Sequence, residues 1–504
     1  MTTTSQLKMP RGILAGRYAP AAAMVVCALI PYLALSAALD PLTRTIGHDL
    51  HMSMQTISLG LGLGNAAYAV GTVLAVALAQ HLPQRRLLVG YAGLLVVGSL
   101  LTAAAQNPAM FITGHVLQGL CTSLMLIAAV PPLALGFGTT KLRETAVIMN
   151  LCIFGAVALG PTMGGIQAAA HAWRPLFFIV AGISLAAFAL TLLTFEDTPA
   201  FDRSAPVDPL AIGLAAVGSV AAFFGASQLL THKFLDPVAI VPLVGGSALI
   251  VVLVVYQFRA KRPLLTIRSM LTSTMPVAGI VVALFAAAAS VSATALTAAL
   301  LVGRYGPLHL GLLYLPELAG AIVTAFALGA VITRRQMHYL PLVGMAFLAA
   351  GIATFLVRVP STQALTLIGS GLTGIGLGAS VAPALFVAGF SLPSANLQRV
   401  FAIIELFRAV AAFMIAPVFA HLAATVGGSL RAGTEIALWI GLVLAVGAAV
   451  IGVALYILGG ARPQTPDLEQ FIGGEGSAWY SPPLLARIRK HAVHGALAEE
   501  PSRA

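Results

Sequence analysis

Stretches of about 20 predominantly apolar residues recur along the whole chain, separated by short polar connections. An α-helix needs about that length to cross the hydrocarbon core of a bilayer, and its backbone hydrogen bonds are satisfied there. Charged residues make up 9% of the 504 positions, against about 25% in soluble domains. The sequence therefore predicts an all-α polytopic membrane protein without a separate soluble domain. We expect fourteen spans, near residues 19–39, 57–80, 87–105, 109–135, 145–168, 175–195, 209–231, 237–257, 275–301, 308–332, 338–357, 363–390, 400–424 and 435–459.

Lysine and arginine are unequally divided between the two sides that a fourteen-span chain would have. With a cytoplasmic amino terminus, 20 of the 27 fall in cytoplasmic tails and loops, 6 fall on the other side, and Arg408 lies within a span. Cytoplasmic loops carry such an excess. We therefore expect a multi-pass protein of the cell inner membrane with both termini cytoplasmic. The basic residues form no patch, so the net charge of +11 does not indicate a nucleic-acid partner.

The sequence contains no constellation typical of an enzyme. It has no phosphate-binding Walker loop, no nucleophile arranged with its base and no metal-ligand spacing, and its three cysteines lie in apolar stretches. We expect no catalysis, no metal and no cofactor, and a proton gradient is the expected energy source.

One uncharged apolar stretch concentrates glycine and proline in the segment GAVALGPTMGG, residues 155–165. In a membrane helix these residues permit bending and close backbone packing. We expect this helix to curve and to touch a neighbour closely, as a moving part of a transporter would. The residues concerned are Gly155, Gly160, Pro161, Gly164 and Gly165.

Several motifs together resemble the major facilitator superfamily, specifically its branch of fourteen-helix drug:proton antiporters. GAVALGPTMGG is similar to the antiporter signature of that family's fifth helix, and HVLQGL, residues 115–120, to its fourth-helix motif. AWRPLFFIVAGI, residues 172–183, resembles the entry to the sixth helix, and YGPLHLGLLYLP, residues 305–316, the start of the tenth.

The resemblance implies the major facilitator fold, with two six-helix halves and two inserted central helices. The halves would enclose a central cavity and rock to give alternating access. The expected segments are a cytoplasmic tail at 1–18, one half at 19–195, the linker and inserted helices at 196–268, the second half at 269–460 and a cytoplasmic tail at 461–504.

The chain departs from the family pattern in the loop between helices 2 and 3, ALAQHLPQRR. The family's aspartate there, which locks the cytoplasmic side closed by pairing with a helix end, is replaced by His81. Of the basic residues, Arg85 and Arg86 remain. We expect this gating loop to hold a weakened or replaced lock.

Glu317 lies about one third of the way into the tenth predicted span, directly after Pro316. A charged side chain deep in a bilayer is costly, about 2.5–3.5 kcal/mol or more, and so indicates a function. Glu317 is a candidate proton-carrying carboxylate. The alternative is a partner in helix packing.

Glu405 and Arg408 are three residues apart in the thirteenth span, which places them on one helix face. The family often has an arginine at the position of Arg408. The two residues form either a structural ion pair or a pair that binds substrate or couples transport.

Three further polar residues are candidates for transport. His115 replaces the family's fourth-helix arginine and could sense protons, or it could be a polar residue bonded to the backbone. Gln118 follows one turn later, where it could contact solute. Asp40, at the outer end of the first span, lies at the interface or at the cavity mouth, and it does not align clearly with the family's first-helix aspartate. Packing is the favoured interpretation of Asn65 and Tyr68.

We expect a secondary transporter that exports hydrophobic or cationic-amphiphilic compounds in exchange for protons, with multidrug efflux as the function. Its partners would be lipophilic solutes, protons, the bilayer and a periplasmic adaptor. Two alternatives stay open. One is an importer or exchanger of a specific metabolite or lipid, and the other is a non-transporting scaffold or sensor.

Overall fold

The computed structural model describes residues 12–195 and 205–488, so the outermost parts of both tails and the linker stretch 196–204 lie outside the described residues. Within these ranges every regular element is a helix, apart from isolated bridges. The principal helices are α1 (Tyr18–Asp49), α2 (Met54–His81), α3 (Gln84–Ala103), α4 (Pro108–Leu135), α5 (Gly138–Ala169), α6 (Arg174–Thr194), α7 (Pro209–Gln228), α8 (Pro237–Arg259), α9 (Thr274–Leu301), α10 (Pro307–Val331), α11 (Leu340–Leu356), α12 (Gln363–Phe390), α13 (Ser394–Thr425), α14 (Leu430–Gly459) and the short α15 (Leu468–Ile472).

The prediction of an all-α polytopic fold is confirmed. Thirteen helices among the described residues are long and apolar enough to cross a membrane. The remaining predicted span, the eleventh at 338–357, corresponds to α11, an apolar helix of 17 residues. The helices alternate in direction, so α1 begins and α14 ends at the same end of the bundle. We call it the basic end, because the sequence predicts most basic residues there.

Helices α5 and α13, the fifth of each half, each contain one π-helical turn near the middle. These turns span Leu151–Gly155 and Val410–Met414. In α13, Pro417 follows one turn later and has no backbone N–H to donate to the Phe413 carbonyl, which loosens the helix there. Turns of this kind often occur at functional sites.

The inserted helices α7 and α8 pack against each other and lie between α2 and α13 in the part of the bundle distant from the basic end. There, a Cβ added at Gly62 of α2 would be 3.3 Å from the Phe223 carbonyl oxygen of α7. On the other side, Nδ1 of His421 in α13 lies 2.8 Å from the Leu229 carbonyl oxygen. Towards the basic end, the first part of α13 packs directly against α2 and α4.

Candidate transport site and gate between the halves

The glycines of the signature helix α5 contact two different helices. A Cβ at Gly160 would be 2.6 Å from the Ala34 carbonyl oxygen, and one at Gly164 would collide with the Ala38 carbonyl, so both face α1 of the same half. A Cβ at Gly165 would be 2.5 Å from the Pro307 carbonyl oxygen of α10, in the other half. Close approach on both sides requires residues without a side chain. Helix α5 is thus fixed to its own half by one face and touches the opposite half with another.

The remaining residues of the signature support the same arrangement. In α10, a Cβ at Gly311 would lie 2.7 Å from the carbonyl oxygen of Pro161. Gly155 ends the π turn, and its nearest neighbour in the other half is the Leu318 side chain of α10, 3.6 Å from an added Cβ.

Three side chains of α5 donate hydrogen bonds to the opposite half. Thr162 Oγ1 donates to the Gly311 carbonyl (2.9 Å), Asn150 Nδ2 to the Gly378 carbonyl (3.1 Å) and Arg143 Nη2 to Thr333 Oγ1 (2.9 Å). Arg143 lies nearest the basic end. Sequence reasoning did not select Thr162 or Asn150, although Thr162 lies inside the signature and Asn150 directly precedes the π turn.

Tyr68, Glu405 and Arg408 form a fully buried cluster between the halves. Arg408 Nη2 and Nε donate to Glu405 Oε2 at 2.7 and 2.8 Å, which confirms the shared helix face. The Tyr68 hydroxyl of α2 donates to the same carboxylate oxygen at 3.0 Å and accepts from Arg408 Nη2 at 3.1 Å. A hydroxyl of one half therefore bridges both members of an ion pair in the other half. Among the described residues, Glu405 Oε1 has no hydrogen-bond partner although it is buried.

Aromatic and polar side chains of the first half continue from this cluster. The rings of Tyr32 and Tyr68 stack at 5.8 Å between centroids, and the His115 ring lies 5.2 Å from that of Tyr32. The Tyr32 hydroxyl donates to Asn65 Oδ1 at 2.7 Å. His115 is buried against α2, since a Cβ at Gly64 would be 2.6 Å from its ring. The structure thus brings His115 near the ion pair through two tyrosines.

Gln118 is placed differently from the solute-facing position that the sequence predicts. It is fully buried, and its Nε2 donates to Ser99 Oγ of α3 at 3.1 Å. Ser99 in turn shares a 2.9 Å hydrogen bond with Ser184 of α6. These contacts all lie within the first half.

Within the described part of the chain, Glu317 and Asp40 both lack a counter-charge. Glu317 is 7% exposed, and among the described residues its carboxylate has no hydrogen-bond or ion-pair partner. Its backbone packs closely against Gly374 of α12. The Asp40 side chain is exposed, and it lies away from the α1 face that is buried in the core of the first half. No described side chain pairs with it.

The described contacts of the gating loop, residues 77–86, are with α2, with the end of the linker and with α6. Nδ1 of His81 lies 2.9 Å from the Ala77 carbonyl oxygen, and its Nε2 lies 3.0 Å from that of Ala205, just before α7. Arg85 Nη2 donates to the Leu192 carbonyl of α6 at 3.3 Å, and Arg86 is exposed. The contacts described for His81 and Arg85 therefore join the loop to the linker and to α6.

The two halves meet through hydrogen bonds, closely packed small residues and a shared cluster of buried apolar side chains. The described residues contain no group of three or more His, Cys, Asp or Glu side chains that could hold a metal ion.

Comparisons with known proteins agree with this architecture. A protein named multidrug resistance protein B homolog, from Mycobacterium tuberculosis strain H37Rv, is 27% identical over 324 residues, which cover 62% of this chain and 60% of that protein. The chain thus matches less than two thirds of that relative's length. Drug efflux pump JefA from the same strain is 24% identical over 384 residues, covering 71% and 72% of the two chains.

The solved structures include one with the same fold at low identity. The human organic anion transporter MFSD10 (TETRAN) superposes with a TM-score of 0.59 at 12% identity, covering 86% of this chain and 99% of that one. The sequence profile of the Major Facilitator Superfamily matches residues 21–333. Because that profile covers more than half of the chain, this chain belongs to the Major Facilitator Superfamily.

Proposed function

We propose that the protein is a proton-coupled exporter of hydrophobic or cationic-amphiphilic compounds that works by alternating access. The relatives named for multidrug resistance and drug efflux support the direction and substrate class, although they are distant. The positive-inside pattern supports an inner-membrane location with both termini, and hence the basic end, in the cytoplasm.

The observation that carries the proposal is the buried Glu317 carboxylate, which has no partner among the described residues. A buried carboxyl group without a counter-charge avoids a large desolvation cost by holding a proton, and releases it when water enters. Glu317 lies in α10, which contacts α5 of the other half along its length. A change in the contact between these helices would therefore change the access of water to Glu317.

The Tyr68–Glu405–Arg408 cluster has a different role in this proposal. Because the ion pair lies within one half and Tyr68, halfway along α2, lies in the other, the bridge exists only while α2 and the first part of α13 stay together. It acts as a gate contact. Asp40, exposed near the opposite end of α1, would attract cationic solutes.

The test is transport of a lipophilic cation, such as ethidium, into everted vesicles with an imposed pH gradient. Wild-type protein should accumulate the cation only with the gradient, and Glu317→Gln should abolish accumulation. The control is Glu435→Gln, which removes an exposed carboxylate from α14. It should transport normally.

Other outcomes would contradict the proposal. Movement of the cation down its own gradient, unaffected by pH and by Glu317→Gln, would favour an importer or exchanger. No movement of any solute under any gradient would favour a scaffold or sensor.

A further inference from the structure

The chain beyond α14 forms an ordered cover on the basic end of the second half. We call residues 461–484 the tail segment. Helix α14 ends at Gly459, and the next residue, Gly460, is in the left-handed conformation with φ 71° and turns the chain back over the bundle. The sequence predicts only a cytoplasmic tail here. The structure instead buries several of its residues, namely Leu468, Phe471, Ala478 and Trp479.

Trp479 is the main anchor of the tail segment. Its Nε1 donates to Ser391 Oγ at 2.8 Å, and the residue is 3% exposed. Its ring centroid lies 4.4 Å from that of His338 and 5.5 Å from that of Phe390. Phe471 of α15 packs on the other side of Phe390 at 4.9 Å. Large buried aromatic rings of this kind dominate the energy of docked segments.

Backbone hydrogen bonds join the tail segment to two separate helices. The Ala478 N–H donates to the Phe390 carbonyl at the end of α12 (2.8 Å). At the start of α9, the Thr274 N–H donates to the Pro482 carbonyl (2.9 Å). The tail segment thus binds to the ends of both α12 and α9 in the second half.

The tail segment also reaches the other half. Helix α15 is in contact with the basic-end part of α5. This part of α5 already meets the second half through Arg143 and Asn150. Opening the basic end would separate α5 from the second half, and a tail that stays docked through Trp479 would lose its contact with α5. The contact can therefore exist only while the basic end is closed.

We propose that the tail segment is a clasp that favours the conformation with the basic end closed. This inference rests on the alternating-access function proposed above. A ligand that binds one of two conformations shifts the equilibrium towards it, and here the ligand is part of the same chain. Releasing the clasp shifts the population towards the conformation that is open at the basic end.

The test measures the distance between the halves at the basic end in the full-length protein. Spin labels are placed at Leu82→Cys and Gln336→Cys, both exposed and one in each half, after the three native cysteines are replaced by alanine. Trp479→Ala should raise the ratio of open to closed molecules about fivefold or more, in the range of ordinary coupling between sites.

The matched control is Trp439→Ala, because Trp439 is 54% exposed on α14 and belongs to no described contact of the clasp. It should leave the ratio unchanged. Trp479→Phe keeps an aromatic ring but removes the donor to Ser391, so it should change the ratio less than Trp479→Ala does. This variant also tests the clasp if Trp479→Ala fails to fold.

Three results are distinguishable. The clasp is supported if the wild-type protein shows two distances between the labels and pH-driven transport, and if the Trp479 variants shift the ratio of open to closed molecules. Two distances and normal transport with no shift overturn the clasp alone. A single distance under every gradient together with no transport overturns both the clasp and the proposed function.

Discussion

Removing the Tyr68 hydroxyl should open the basic end of the bundle. The Tyr68→Phe variant loses two hydrogen bonds between the halves, at 3.0 Å to Glu405 and 3.1 Å from Arg408, while the ion pair itself keeps its own bonds at 2.7 and 2.8 Å. No buried charge is left unpaired by the change. Its effect should therefore fall on the conformational equilibrium rather than on folding.

The magnitude follows from the two bonds that are lost. Side-chain hydrogen bonds between membrane helices contribute about 0.6–1.7 kcal/mol each, so two bonds give about 1–3 kcal/mol. This free energy corresponds to an increase of about 5–150-fold in the ratio of open to closed molecules. The spin-label pair at Leu82→Cys and Gln336→Cys measures that ratio directly.

Tyr32→Phe is the matched control. It removes a hydroxyl that donates to Asn65 at 2.7 Å inside one half, so the distance between the halves should not change. The reasoning is refuted if Tyr68→Phe keeps the wild-type distance distribution, or if Tyr32→Phe shifts it equally.

Three other perturbations have distinct expected results. Gly164→Val places its side chain against α1 of the same half, and the overpacking should cost about 1–3 kcal/mol of stability and lower the thermal unfolding midpoint. Gly165→Val instead meets α10 of the other half and should chiefly change the spin-label distances. Asp49 Oδ2 accepts hydrogen bonds from Trp173 Nε1 at 3.0 Å and from Arg174 Nη1 at 3.3 Å, at the start of α6. Asp49→Asn weakens these half-exposed contacts and should cost about 0.5–1 kcal/mol, seen as a small loss of thermal stability that high salt reproduces in the wild type. His338 lies in the turn before α11, where burial lowers its pKa to about 4. The ring of Trp479 packs on that of His338 at 4.4 Å, so protonation of His338 should disfavour the docked tail, and Trp479 fluorescence should report undocking as the pH falls from about 6.5 towards 4. This response should disappear in His338→Gln.

The sequence alone predicted the number and place of the apolar helices that the structure shows. The predicted spans 209–231 and 237–257, for example, correspond to α7 and α8 within a few residues. This succeeds because span length and hydropathy are local properties set by the bilayer. The family resemblance, which the comparisons confirm, likewise rested on local motifs such as GAVALGPTMGG.

The partners of the polar residues required the tertiary structure. The sequence favoured a packing role for Tyr68. Its two partners, Glu405 and Arg408, lie 337 and 340 positions away, and nothing local shows which faces of α2 and α13 meet. Gln118 follows His115 by three residues, yet it bonds to α3 instead of joining the cluster around Tyr32.

The sequence also could not predict the contacts of the tail segment. Its sequence suggested a surface tail, since a few apolar residues between prolines and glycines carry no helical or strand period. Trp479 and Phe471 become buried only because the ends of α9 and α12 and the turn at His338 form a surface that fits them. Hydropathy determines that a helix enters the membrane, but the rotation of each helix and its neighbours determines which side chains meet, and that information belongs to the folded bundle.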